Sequence, residues 1–193
     1  MVYQALHFIL QTFFNLFLIA LLLRFYLQVM RAPFRNPFSQ FIVAITDFMV
    51  KPVRRLIPGL FGFDLGTLLL AWLVALALFV ALLWLQPGGF PFAVAPLSLY
   101  VGLTLMAIVH LITLSLYILI GVVFAQAILS WVNPYTPIAP VLAALAGPFM
   151  RFFQRIVPPI ANVDLSPLFI FIACQLVLML PVAWLEGFAR SLM

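Results

Sequence analysis

Residues 65–85 read LGTLLLAWLVALALFVALLWL, without one charged side chain. About 20 apolar residues in a helix cross the hydrocarbon of a bilayer, so this stretch alone predicts a membrane-spanning helix. The rest of the chain agrees with it. Hydrophobic residues make up 67% of the 193 positions, charged residues 7%, and the mean hydropathy is +1.30. Soluble domains carry roughly 25% charged residues, so water is excluded as the solvent of this chain.

Working outward from residue 65, the next charged side chain after Asp64 is Arg151. That length holds two crossings, broken by Gln86-Pro87-Gly88-Gly89 and Pro91, because proline and glycine punctuate helices. Upstream, an uncharged run beginning near Leu6 is closed by Arg24, whose long stem lets its charge snorkel to the interface. This run has no basic leader and no small-residue cleavage pattern and is read as retained. A fourth run covers 165–185, with Pro181 expected to kink its far end. The expected spans are thus 6–28, 65–85, 105–131 and 165–185.

The basic residues sort by side. Arg24, Arg31, Arg35, Lys51, Arg54 and Arg55 gather around the first loop, 29–64, and Arg151 and Arg155 in the loop 132–164. The connection between the halves has none. The positive-inside rule places both loops in the cytoplasm and both termini on the opposite side. The net charge of +5 is therefore read as orientation plus attraction to anionic lipid headgroups, not as a nucleic-acid surface.

An internal repeat runs through the loops. Leu27-Gln28 answers to Leu129-Ser130, Asn36-Pro37-Phe38-Ser39 to Asn133-Pro134-Tyr135-Thr136, and Lys51-Pro52 to Gly147-Pro148. Arg55-Leu56-Ile57-Pro58 matches Arg155-Ile156-Val157-Pro158, and Asp64 and Asp164 each stand six residues beyond that proline. These landmarks divide the chain into a first repeat, 1–86, a connecting segment, 87–104, and a second repeat, 105–193. The fold expected is all-α, four transmembrane helices in two tandem two-helix repeats with amphipathic helices at the cytoplasmic interface.

Each landmark also has a local reading. Asn-Pro suits a helix start, with the amide capping free N–H groups and proline in the first turn. Downstream of the first, Phe38, Phe41, Ile42, Ile45, Phe48 and Met49 share one face, with Ser39, Gln40 and Asp47 mostly on the other. Ile138, Val141, Leu142, Leu145 and Phe149 repeat the spacing, and Lys51-Pro52 and Gly147-Pro148 are expected to end or bend the two helices. Asp64 and Asp164 are read as helix caps, reinforced by Arg55 and Arg155, with proton or substrate binding as the alternative.

His7 and His110 occupy near-equivalent places in the repeat, a candidate pair for a metal or haem iron against the commoner reading of hydrogen-bonded interfacial histidines. Cys174 stands alone in an apolar run. No phosphate loop, nucleophile with a base, or zinc spacing occurs, so no enzyme activity, metal or cofactor is expected.

The chain resembles the YggT family of bacterial membrane proteins, with cyanobacterial and plastid relatives. The resemblance is carried by 24–28, Asn36-Pro37-Phe38-Ser39-Gln40, residues 51–58, Leu129-Ser130-Trp131, Arg155-Ile156-Val157-Pro158 and Asp164-Leu165-Ser166-Pro167. The first half departs from the closing Asp-Leu-Ser-Pro by reading Asp64-Leu65-Gly66-Thr67. The resemblance implies a bacterial inner-membrane location, brings no established catalytic residues, and implies an association with osmotic or envelope stress, or, in photosynthetic relatives, with haem attachment or nucleoid and division structures. The expectation is a non-enzymatic membrane adaptor or assembly factor that meets anionic lipid and an unidentified membrane or cytoplasmic protein, with Arg54 and Arg55 as anchors. A small transporter or channel component is the alternative, with Asn15, Thr113, Ser115, Gln126 and Gln175 as lining groups and homo-oligomerisation left open.

Overall fold

The computed structural model describes residues 1–56, 64–86, 95–133, 135–156 and 164–193. All regular structure among them is helical: α1 (Val2–Val29), α2 (Pro37–Leu56), α3 (Leu65–Trp84), α4 (Leu97–Val132), α5 (Ala139–Ile156), α6 (Ser166–Val177), a π-helical turn (Leu178–Val182) and α7 (Ala183–Ser191). Four of these stretches are long and apolar enough to cross a membrane: α1, α3, α4 and Ser166–Ser191. Pro58, Pro134, Pro158 and residues 87–94 of the expected connecting segment lie outside the described residues.

Between helices in lipid, close approach of small side chains replaces the hydrophobic drive that water would supply. Ala71 and Ala75 of α3 and Ala107 of α4 are fully buried against Leu18, Leu21 and Leu22 of α1 in one apolar cluster. A second cluster joins Val122 and Val123 of α4, Val141, Leu142, Leu145 and Ala146 of α5, and Ile170 and Cys174 of α6. Leu27 and Ile42 of the first half pack into that second cluster, so the two halves share a core. Large side chains such as Phe8, Phe13, Leu73 and Trp84 face outward, as a lipid solvent permits.

α1 ends without a glycine. The Arg31 N–H bonds the Gln28 carbonyl (3.1 Å) and the Ala32 N–H the Leu27 carbonyl (2.9 Å), the two bonds of a Schellman stop. Arg31 therefore takes the left-handed position, at φ 50°. Asn36 then opens α2 as expected: its Oδ1 accepts from the Ser39 N–H (2.9 Å), its Nδ2 donates to Ser39 Oγ (2.8 Å), and Pro37 is the first helical residue.

The second half does not copy this start. Asn133 ends α4, its Oδ1 accepting from the Tyr135 N–H (3.1 Å), and α5 begins only at Ala139. Nor do the internal prolines end their helices, since α2 runs through Pro52 to Leu56 and α5 through Pro148 to Ile156. Residues 97–104, assigned by the repeat to the connecting segment, form the first two turns of α4, which has 36 residues. Gly102 lets those turns press against α7, for a Cβ there would stand 3.0 Å from the Ala189 carbonyl oxygen. Pro181, which has no N–H to give, sits within the π-helical turn that interrupts the fourth span.

Candidate functional site

The faces of α2 differ from the simple amphipathic reading. Ser39, Ile42, Thr46 and Val50 are spaced to fall on one side, and that mixed side is the buried one. Phe41, Ile45 and Phe48 face outward, Phe48 with 68% of its surface exposed, although its ring still touches that of Phe17 on α1 (centroids 5.6 Å). Exposed Lys51 and Arg55 border this apolar strip.

Two arginine ties hold α2 in that orientation. The first begins at Arg24, which does not snorkel outward but is buried, 5% exposed. Its Nη1 donates to Thr46 Oγ1 (2.8 Å) and the Val43 carbonyl (3.3 Å) and pairs with Asp47 Oδ1 (2.8 Å). Lys51 Nζ takes the other carboxylate oxygen at 2.7 Å. The hydrogen bond from Lys51, opposed by burial and aided by Arg24, holds the Asp47 carboxyl below its ordinary value. A guanidinium buried among apolar helices is tolerated only with a counter-charge and acceptors close by, and Asp47, Thr46 and the Val43 carbonyl of α2 supply them at Nη1.

The second tie closes the loop. Asp64, 2% exposed, caps α3: Oδ1 accepts from the Thr67 N–H (3.1 Å), and Thr67 Oγ1 donates to Oδ2. Arg54, not Arg55, supplies the counter-charge. Its Nε donates to Asp64 Oδ2 at 2.8 Å, and its Nη2 bonds the same oxygen and Gln28 Oε1 of α1 (2.8 Å). One guanidinium thus joins three helices. Burial alone would raise the Asp64 pKa, but the bonds from Arg54 and Thr67 outweigh it and hold the carboxyl below its ordinary value.

The second repeat keeps an aspartate at the helix start, one residue before the N-cap Leu165, and drops the counter-charge. Asp164 Oδ1 accepts from the Ser166 N–H (2.9 Å), and its Oδ2 accepts from Gln154 Nε2 (2.7 Å), not from Arg155. Against burial, the bonds from Ser166 and Gln154 keep this carboxyl low as well. Counted back from each aspartate, Arg54 and Gln154 are equivalent, ten residues away, and that spacing was the available signal for both. Counted from the Leu27-Gln28 and Leu129-Ser130 landmarks, Gln126 answers to Arg24, and its Oε1 is buried with no hydrogen-bond partner among the described residues. Arg55, Arg151 and Arg155 are exposed, with Arg151 Nε donating to the Gly147 carbonyl (3.2 Å).

The histidines are not brought together. His110 Nε2 meets Asn15 Oδ1 of α1 at 2.8 Å, and the Phe79 ring stands edge-on to its imidazole. Asn15 is eight residues beyond His7, about 12 Å of helix, while His7 lies against Tyr3. Thr113 and Ser115 donate to their own helix carbonyls, at Val109 and Leu111, and Gln175 faces outward. Among the described residues no three of His, Cys, Asp or Glu come together as a metal cluster.

Comparison with known proteins follows the same two-part division. A family profile described as CCB3/YggT matches residues 3–85 and again 105–185. An uncharacterized protein of Pseudomonas aeruginosa is 38% identical over 178 residues, covering 90% of this chain and 86% of that protein. One of Vibrio alginolyticus, named for its place in the proC 3' region, is 35% identical over 173 residues, 89% and 90% of the two chains. The uncharacterized protein YggT of Escherichia coli K12 is 34% identical over 170 residues, 86% and 82% of the two chains. No solved structure matches. With the profile covering both halves and these relatives aligned over most of their length, the chain belongs to the CCB3/YggT family.

Proposed function

We propose that this protein is a non-enzymatic membrane adaptor or assembly factor, which holds an outward-facing amphipathic helix in a fixed pose beside its spans. The observation that carries this reading is α2. Its buried face is pinned by Arg24 to Asp47 and by Arg54 to Asp64, while Phe41, Ile45 and Phe48 face outward beside exposed Lys51 and Arg55. A helix kept only for packing would not need two ion pairs to set its rotation.

Among the charged groups of the loops, Arg54 is consumed by its tie to Asp64 and Lys51 by its pair with Asp47, so the basic anchors are Arg55, Arg151 and Arg155. Near an anionic leaflet each contributes about 1 kcal/mol of attraction, enough to seat the loops on lipid headgroups. Specificity for a partner protein comes from the aromatic strip between them. A role in osmotic or envelope stress, which the family resemblance suggests, is part of this proposal.

The test is a photo-crosslinking side chain at Phe41 in native membranes. One reproducible adduct is expected, lost on Arg55→Glu while thermal stability is kept. Absence of any adduct, together with ion or osmolyte flux through purified protein in liposomes, sinks the adaptor and favours the transporter reading.

A further inference from the structure

At the end of the bundle away from the loops lies a cavity of roughly 200 Å³ that no part of the adaptor reading uses. Counting 1.5 Å per residue from the loop side, Leu82 stands about 26 Å into α3 and Glu186 about 30 Å into the fourth span. The cavity thus sits at the far boundary of a hydrocarbon layer about 30 Å thick. Gln11 of α1, His110 and Thr113 of α4, and Glu186 and Arg190 of α7 supply its polar lining. Leu78, Phe79 and Leu82 of α3 supply an apolar side.

Glu186 and Arg190 stand at that boundary with side chains 39% and 66% exposed, so both charges are within reach of a molecule that enters the cavity from the surface. The lining selects its chemistry. Glu186 disfavours an anion and Arg190 a cation, whereas a molecule carrying both charges meets each with its opposite. In the structure the two side chains bond each other, Arg190 Nη2 to Glu186 Oε1 at 2.5 Å, four residues apart on α7. A zwitterion inserted between them exchanges that one contact for two charge-assisted bonds. His110, already fixed through Nε2 by Asn15, and the amide of Gln11 give further hydrogen bonds, and the apolar lining of Leu78, Phe79 and Leu82 accepts a short carbon chain. At about 30 Å³ per water, the volume corresponds to six or seven waters, which suits a group of about five to eight heavy atoms.

We propose that the cavity between α1, α3, α4 and α7 is a binding site for a small zwitterionic group, an ammonium and an anion on a short carbon chain, held between Glu186 and Arg190. Such a group comes either from a free amino-acid-sized solute or from the headgroup of an aminophospholipid at the bilayer surface. Binding is read with the full chain in phosphatidylglycerol nanodiscs, titrated calorimetrically with glycine and with O-phosphoethanolamine, and with acetate and ethylammonium as singly charged controls. Native mass spectrometry from nanodiscs that also contain phosphatidylethanolamine covers the lipid source.

Saturable binding of a free zwitterion assigns the site to a solute. Selective retention of phosphatidylethanolamine alone assigns it to a headgroup. Either result requires at least tenfold loss in Glu186→Gln and in Arg190→Gln, with Glu186→Asp and Arg190→Lys retaining binding as controls for folding. Singly charged controls binding as well as glycine, no saturable binding of any probe, or binding that survives the Glu186→Gln, Arg190→Gln double change overturns the proposal.

Discussion

Replacing Arg54 by methionine isolates what the second tie contributes. The change keeps the aliphatic stem and removes the bonds to Asp64 and Gln28, leaving Asp64, 2% exposed, with Thr67 alone. Breaking a buried pair from one side costs about 3–5 kcal/mol because the remaining charge stays buried. Arg54 itself is 39% exposed, and water screening on that side lowers the expected loss to about 2–3 kcal/mol. The second repeat supplies the internal control. Gln154→Met removes one neutral donor from the half-buried Asp164, where water can replace it, for about 1 kcal/mol. Arg54→Gln, which copies the second repeat into the first, should recover about 1 kcal/mol of the methionine loss. Reversible denaturant titration in detergent micelles, followed by tryptophan fluorescence, measures all three. Equal losses for Arg54→Met and Gln154→Met, or an Arg55→Met variant as unstable as Arg54→Met, would refute the reasoning.

The same carboxylates set a pH response. Because the folded pKa values of Asp47, Asp64 and Asp164 are depressed, their stabilisation is complete above the unfolded carboxylate value near about 3.9 and is lost as pH falls through the lower folded values. Thermal melts from pH 7 down to pH 3 should show that late loss, smaller in Asp64→Asn. Gly102→Ala should destabilise the docking of α7 on α4 by about 1–3 kcal/mol, since the new Cβ meets Met193 Cγ at 2.7 Å and backbone at Ala189; an unchanged melting temperature argues against that contact. Arg31→Gly should stabilise by up to about 1 kcal/mol by relieving the left-handed position in the Schellman stop, and a loss measured in the same titration would mean that the Arg31 side chain outweighs it. Reporters fused after Arg35 and after Arg155 should both read cytoplasmic, and opposite readings would break the four-span topology.

Much of this architecture is written locally. The run from 65 to 85 demands a bilayer, and its neighbours set the number of spans, because the cost of leaving charge or backbone unsatisfied in lipid applies to any helix regardless of its partners. The Asn36-Pro37 start and the Asp64 cap are likewise legible, since each is satisfied within three residues along the chain. The ordered landmarks give the repeat before any contact is known.

What the chain order does not reveal is rotation and partnership. Arg24 reads as an interfacial charge until α2 is laid beside it with Thr46 and Asp47 turned inward. Arg54 and Arg55 are chemically identical neighbours, and helix phase, about 100° between them, decides which one reaches Asp64. In the same way Asn15 and His110 lie 95 positions apart and meet only because α1 and α4 pack side by side. A bilayer selects for apolarity along a helix and is indifferent to its rotation about the axis. The sequence by itself therefore determined the solvent, the spans and the doubled plan, while the few polar contacts between packed helices, which only the tertiary structure creates, decided which charges are structural and which remain free to meet a partner.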